Sequence, residues 1–304
     1  MTASWVSGST RARALVRRGL GLRRARRLAA CGSAAEAVAM LALTSYGHDV
    51  RPGQSLPDAQ RAVVATLAWH LRVLTGWLPR EGGQMMRVLA RWFEIANVDE
   101  LMCRLAGRPA DPEFVLGSLS TAWPRLRRSG SLAEIRTTLA ASPWGDPGGS
   151  TRHDIQLGMR LAWAERLADV LPPTARCWVL GAAALLVARE RHAERRELSA
   201  AARDRCRALL GPDAVAATSI TEMTGRLPSA ARWALLDVGD PGRLWEAEPR
   251  WWKRVEDDGR ALLTGSGFSA GPVVGAVAVL AADARRTGAA LELAARGGAA
   301  DALF

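Results

Sequence analysis

The strongest constraint on this chain is the spacing of its apolar residues. Between Arg61 and Leu78 the side chains of Val64, Leu67, Ala68, Leu71, Leu74 and Leu78 recur at three- and four-residue intervals, which places them on one stripe of a helix. Leu157 to Leu171, Cys177 to Ala188 and Val273 to Leu293 follow the same rule, and no segment alternates apolar and polar with the period of two that a half-buried strand requires. Ala, Leu, Arg and Glu dominate these windows, in agreement with helix propensity. The windows end at Leu78-Pro79, Gly107-Arg108-Pro109, Asp146-Pro147-Gly148-Gly149, Pro172-Pro173, Gly211-Pro212 and Asp240-Pro241-Gly242, all combinations that stop helices. The expectation is an all-α chain of about a dozen helices.

The helical pattern repeats. Ser33-Ala34-Ala35-Glu36 opens a segment running to Tyr46-Gly47, and 98 residues later Ser131-Leu132-Ala133-Glu134 opens one running to Trp144-Gly145. In each, Ser is placed to cap a helix while Glu reaches back to the cap amide. Another 98 residues on, Ser229-Ala230-Ala231 continues the series with Arg232 in place of Glu. A second echo, Trp-x-x-Arg-aliphatic, follows at Trp69 to Val73, Trp163 to Leu167 and Trp251 to Val255. An Ala-rich helix closes each unit, over Val88 to Leu105, Val179 to Glu197 and Val274 to Arg296. Three tandem helical repeats are predicted, over residues 1–108, 109–208 and 209–304.

At 304 residues and 49% apolar content, the chain has enough material for a substantial core. Its formal net charge of +11 favours anionic neighbours, whether nucleic acid, lipid headgroups or acidic protein faces. Every basic residue except Lys253 is Arg along the whole length, so Arg richness by itself does not mark a phosphate site. Cys31, Cys103, Cys177 and Cys206 are far apart and read as small buried hydrophobes in a reducing compartment. Arg17-Arg18, Arg23-Arg24 and Leu28-Ala29-Ala30-Cys31 imitate export signals, but the apolar stretch such signals need is absent, and no run approaches the roughly 20 apolar residues of a membrane span. A cytoplasmic protein, at most peripheral on a membrane, is expected.

The sequence announces no catalytic constellation, cofactor site or small-molecule substrate. There is no phosphate-binding glycine loop with its lysine, and Lys253 lies in a Trp-rich helix. The best metal candidate, Glu190, His192, Glu194 and Glu197, is interleaved with Arg189, Arg191, Arg195 and Arg196 and reads as a salt-bridged helix face. His48, His70 and His153 are scattered, and the Asp257-Asp258 pair reads as surface. The remaining feature is Arg11 to Arg27, with eight Arg and no acid. Its Arg11, Arg13, Arg17, Arg18, Arg23 and Arg24 are candidate contacts to an anionic partner such as lipid headgroups. The alternative is an outer helix face with Leu15, Leu20 and Leu28 turned inward. Nucleic acid is disfavoured as the partner, because Trp5 is the only aromatic before Tyr46 and no reading element accompanies the charge.

Three tandem helical units, Arg11-Ala-Arg-Ala-Leu15 near the start, and Ser33-Ala-Ala-Glu36 leading to Leu-x-x-Thr-Ser-Tyr46 resemble the C-type collar family of bacterial and archaeal V/A-type ATPases, whose eukaryotic relative is the d-type component of the vacuolar proton pump. The most telling segment is Arg91-Trp-Phe-Glu94-Ile-Ala-Asn97-Val-Asp99-Glu-Leu-Met-Cys-Arg104, where an aromatic-acidic pair is followed by an Asn-aliphatic step. The theme returns around Asp283 and Leu291 to Gly297. Asp99 stands where that family carries a basic residue. The resemblance implies a pseudo-threefold, funnel-like arrangement of the repeats and a non-catalytic central-rotor role. Such a collar couples the central-stalk subunits to the membrane rotor ring on the cytoplasmic face, for proton or sodium transport. A basic helical-repeat adaptor for nucleic acid or a regulatory protein is the alternative.

Overall fold

A computed structural model describes residues 3–265 and 267–298. It is all-helical, with no strand among the described residues. In chain order the α-helices are α1 (Val6–Arg17), α2 (Gly21–Ala29), α3 (Ala34–Ala42), α4 (Leu56–Thr75), α5 (Arg80–Leu89), α6 (Arg91–Leu105), α7 (Trp123–Leu126) and α8 (Leu132–Ala140). There follow α9 (Arg152–Val170), α10 (Pro173–Ala188), α11 (Ala200–Leu210), α12 (Pro212–Ala216), α13 (Ile220–Arg226), α14 (Ser229–Arg232), α15 (Leu244–Thr264) and α16 (Ala270–Ala295). Among the described residues no helix is long and apolar enough to cross a membrane. The basic stretch forms two helices, α1 and α2, separated at Arg18–Leu20.

By compactness the chain divides into residues 1–83 with 256–304, and residues 84–255, the divisions falling inside α5 and α15. In the first unit α16 is the central element, packed by α1, α2, α3 and α4. It is buried nearly all round through Val273, Val274, Ala276, Val279, Ala284 and Leu291, as a helix at the middle of a core must be. Small residues bring its neighbours close. A Cβ added at Gly275 would lie 2.4 Å from the Gly259 carbonyl oxygen of α15, so the two backbones touch there. Leu28, Leu41, Leu71 and Leu74, all fully buried, fill the space around it.

In the second unit α10 occupies the equivalent place, against α9, α11, α14 and the 3₁₀ turn Trp233–Leu235. Its Gly181 gives Trp233 room, since a Cβ there would meet the indole at 2.9 Å. The Trp echo has a structural meaning in this unit. Trp163 of α9 donates its indole N–H to the Val88 carbonyl at 2.8 Å, and Trp251 of α15 donates to the Trp178 carbonyl at 2.9 Å. Donors and acceptors are thus displaced by 88 and 90 residues respectively, so the two Trp anchors are equivalent joints. Trp69 differs and stacks on His48 at 4.0 Å.

Among the described residues three helices carry a Ser-x-x-Glu cap, and the third begins at a different place from the one the 98-residue spacing suggests. Ser33, Ser131 and Ser219 each sit in extended backbone and accept from the amide three residues on, at 3.2, 3.2 and 3.1 Å. The Glu of each motif reaches back to the residue before the cap: Glu36 to the Gly32 amide, Glu134 to Gly130 and Glu222 to Thr218, at 3.0, 2.8 and 2.6 Å. Ser219-Ile220-Thr221-Glu222, 88 residues after Ser131, thus caps its helix in the same way as the other two. Ser229 caps nothing, because α14 starts from Pro228.

Candidate functional site

The polar groups that matter most for assembly are two buried carboxylates. Glu94, 1% exposed, projects from the first turn of α6. One oxygen accepts from the Thr121 amide at 2.7 Å; the other accepts from the Ala122 amide at 2.8 Å and the Trp144 indole N–H at 2.7 Å. Thr121 and Ala122 lead into α7, whose first amides have no partner within the helix, so Glu94 satisfies donors that the helix start would otherwise leave bare. Asn97, one turn along the same face, pairs with the Phe114 backbone in both directions, at 3.0 and 2.6 Å. The Arg91 guanidinium lies 4.9 Å over the Trp144 ring, and its burial lowers its pKa.

Asp283 of α16 repeats the device. Its carboxylate, 4% exposed, accepts from the Leu20 and Gly21 amides at the start of α2, each at 2.8 Å, and from the Tyr46 hydroxyl at 2.9 Å. Burial first, and then the Asp283 charge, push the Tyr46 phenol well above its ordinary range. Tyr46 and Trp144 each lie 13 residues after a capping Ser, so a residue at the same distance from a cap supplies the side-chain donor in both clamps. The helices bearing the two acids also end alike. Gly107 at φ +66 and Gly297 at φ +90 close α6 and α16, with Arg108 donating to Cys103 and Gly298 to Leu293, both at 3.0 Å, in Schellman turns.

The position between them is held by Glu190, 96 residues after Glu94 and 93 before Asp283. It lies in a single π turn, Arg189–Ala193, at the end of α10, and is 7% exposed. Its carboxylate faces His153 at 3.1 Å and Arg196 at 3.7 Å. The four acidic and histidine residues singled out in the sequence around it do not converge, and no group of three or more His, Cys, Asp or Glu able to hold a metal occurs among the described residues. Asp99 is explained too. Gln156 donates to it at 2.9 Å and Arg160 pairs with it at 3.5 Å, so it joins α6 to α9; burial raises its pKa.

The basic stretch divides into two kinds of arginine. Arg13 donates to the Leu263, Gly265 and Gly267 carbonyls at 3.0, 2.7 and 3.2 Å, capping the C-terminal end of α15. Arg11 lies over the Trp77 ring at 5.6 Å. Both are half-buried, and their polar atoms are turned to the fold. Arg17, Arg18, Arg23 and Arg24 are exposed, as are Arg26 and Arg27, while Leu15, Leu20, Ala25 and Leu28 face inward. The exposed set offers guanidinium N–H groups suited to phosphate or carboxylate oxygens. The clamps are not evident from residue type, because a buried Glu looks like any other Glu in a sequence. Their separation of 189 residues, close to the 186 between the Ser33 and Ser219 caps, is the signal that points to them. No protein-family model matches this chain, and no curated protein shows a significant match.

Proposed function

We propose that this protein is a non-catalytic collar of a V/A-type rotary ATPase, coupling the central stalk to the membrane rotor ring for proton or sodium transport. In this reading the three helical repeats close into a pseudo-threefold funnel on the cytoplasmic face of the membrane. The funnel receives the stalk at its mouth and passes torque to the ring. Such a part needs stiffness and two complementary surfaces, and it needs no nucleophile.

The observation that carries the reading is the paired clamp. The segment most like the C-type collar family, Arg91 to Arg104, is the one whose Glu94 and Asn97 hold the chain that leads into α7, and Asp283 in the related segment holds the start of α2 through Leu20 and Gly21 together with Tyr46. Charge-assisted bonds buried in this way hold helix starts to a long helix at fixed angles, which suits a part that must not twist under load. The exposed arginines of α1 and α2 suit acidic loops or anionic headgroups beside a ring. The test is affinity purification of the tagged full chain from detergent-solubilised membranes, with identification of every retained chain. Recovery of stalk and ring proteins in fixed proportion is expected. Recovery without any of them overturns the proposal, and retention on nucleic acid with a steep salt dependence turns it toward the adaptor.

A further inference from the structure

We propose that a cleft beside the π turn of residues 84–255 is a binding site for a small phosphoryl anion of the diphosphate class. The cleft has a volume of about 210 Å³. Arg191, Arg203 and Arg207 line it with Glu197, Val215 and Ala216, so its walls carry three guanidinium groups against one carboxylate. Nothing in the coupling role calls for such a site, and it stands or falls separately from that role.

The backbone is bent to make the cleft. After α10 the chain takes the π turn Arg189–Ala193, and Arg195 then adopts φ +53, a left-handed conformation that costs a non-glycine residue roughly 1 kcal/mol or more. Single π turns and strained residues of this kind concentrate at binding sites, where a side chain has to be aimed against the preference of the helix. Here the aimed side chain is Arg191. Its Nη1 donates to the Val215 and Ala217 carbonyls, which fixes the guanidinium plane against the end of α12. Arg203 and Arg207 are one turn apart on α11 and present their groups from the other wall.

Arg203 donates from Nη2 to the Leu198 carbonyl at 3.2 Å, and the acidic partners of the two arginines are weak. Glu197 meets Arg203 at 3.7 Å with a carboxylate that is 93% exposed, and Asp204 meets Arg207 at 3.4 Å while 73% exposed. Solvent-screened pairs of that length contribute little, so an incoming oxyanion with several acceptor oxygens displaces them at small cost. The polar, cationic lining and the room for several water molecules fit a compact multiply charged anion better than an apolar ligand. A single carboxylate offers two oxygens to three forks, whereas a diphosphate can engage each in turn.

The probe is inorganic pyrophosphate, titrated calorimetrically into the full-length chain. Binding that weakens with added salt is expected. Arg203→Gln and Arg207→Gln should each weaken it about tenfold, the loss of one charge-assisted contact. Glu197→Gln should tighten it severalfold by removing the competing carboxylate, a change of opposite sign that a folding defect does not produce. Arg176→Gln, exposed at the opposite end of α10 from the π turn, should leave it unchanged. The absence of heat up to millimolar pyrophosphate, or loss of binding in the Arg176 variant with none in the α11 variants, overturns the site. Phosphatidylcholine vesicles with and without phosphatidic acid separate a free anion from a headgroup. Release of the protein from such vesicles by pyrophosphate supports the cleft, and vesicle binding indifferent to pyrophosphate in a chain that gives no calorimetric signal counts against it.

Discussion

At the scale of single residues, the fold depends on acceptors as much as on apolar contacts. Glu94 holds three N–H donors in a site that excludes water, and an alanine there would strand all three. Each stranded donor costs about 1–3 kcal/mol, so Glu94→Ala should lower unfolding free energy by about 3 kcal/mol or more. Trp144→Phe, which keeps one aromatic ring but removes the indole N–H with its bond and leaves a small void, should cost less, about 1–2 kcal/mol; urea denaturation of the two variants checks the ordering. His70 makes a pH prediction. It is 5% exposed, and burial, more than the nearby Arg18 charge, lowers its pKa from 6.5 to about 4. The unfolded chain therefore binds a proton between those values while the folded chain does not, so stability is intact above pH 6.5 and declines as pH falls toward 4, by about 3 kcal/mol in total from this group. Denaturation midpoints at pH 7 and pH 4.5 should converge in His70→Gln relative to wild type, and an unchanged difference would remove His70 from the account.

At the scale of elements, helix content is legible in the sequence and helix junctions are not. The three-and-four spacing of Leu67, Leu71 and Leu74 specifies α4, because an apolar stripe can be buried in only one way. The break between α1 and α2 is hidden, since nothing in Arg18-Gly19-Leu20 shows that Asp283, more than 260 residues away in sequence, takes the Leu20 and Gly21 amides. The break at Ala90, between α5 and α6, is hidden in the same way. A fixed period of 98 points to Ser229, whereas the third Ser-x-x-Glu cap stands at Ser219, 88 residues after Ser131. That yields a clean test: Ser219→Ala should cost about 1 kcal/mol, as a lost N-cap does, while Ser229→Ala should be close to neutral. At the α15–α16 contact, Gly275→Ala forces a methyl to within 2.4 Å of the Gly259 carbonyl, and should destabilise by about 2 kcal/mol in thermal or urea unfolding, although alanine favours helix in the abstract. Of the basic stretch, the exposed arginines are readable from the inward-facing leucines; the role of Arg13 as a C-terminal cap for α15 is not, because its partners are backbone carbonyls and carry no sequence signature.

At the scale of the whole molecule, the proposed role draws on a net charge of +11, an all-helical fold among the described residues and buried carboxylates that hold helix starts. Tyr46 and Asp99, both raised in pKa by burial, each join one helical element to another. In the proposed role, removal of the chain should leave nucleotide hydrolysis by the catalytic head in place and disconnect it from the membrane. The most direct measurement is ATP-driven ion uptake into membrane vesicles from cells lacking this protein, alongside ATP hydrolysis by the same preparation. The account predicts that hydrolysis continues while uptake is lost, and that the wild-type chain restores uptake where Glu94→Ala does not. Uptake that proceeds unchanged without the protein would contradict it.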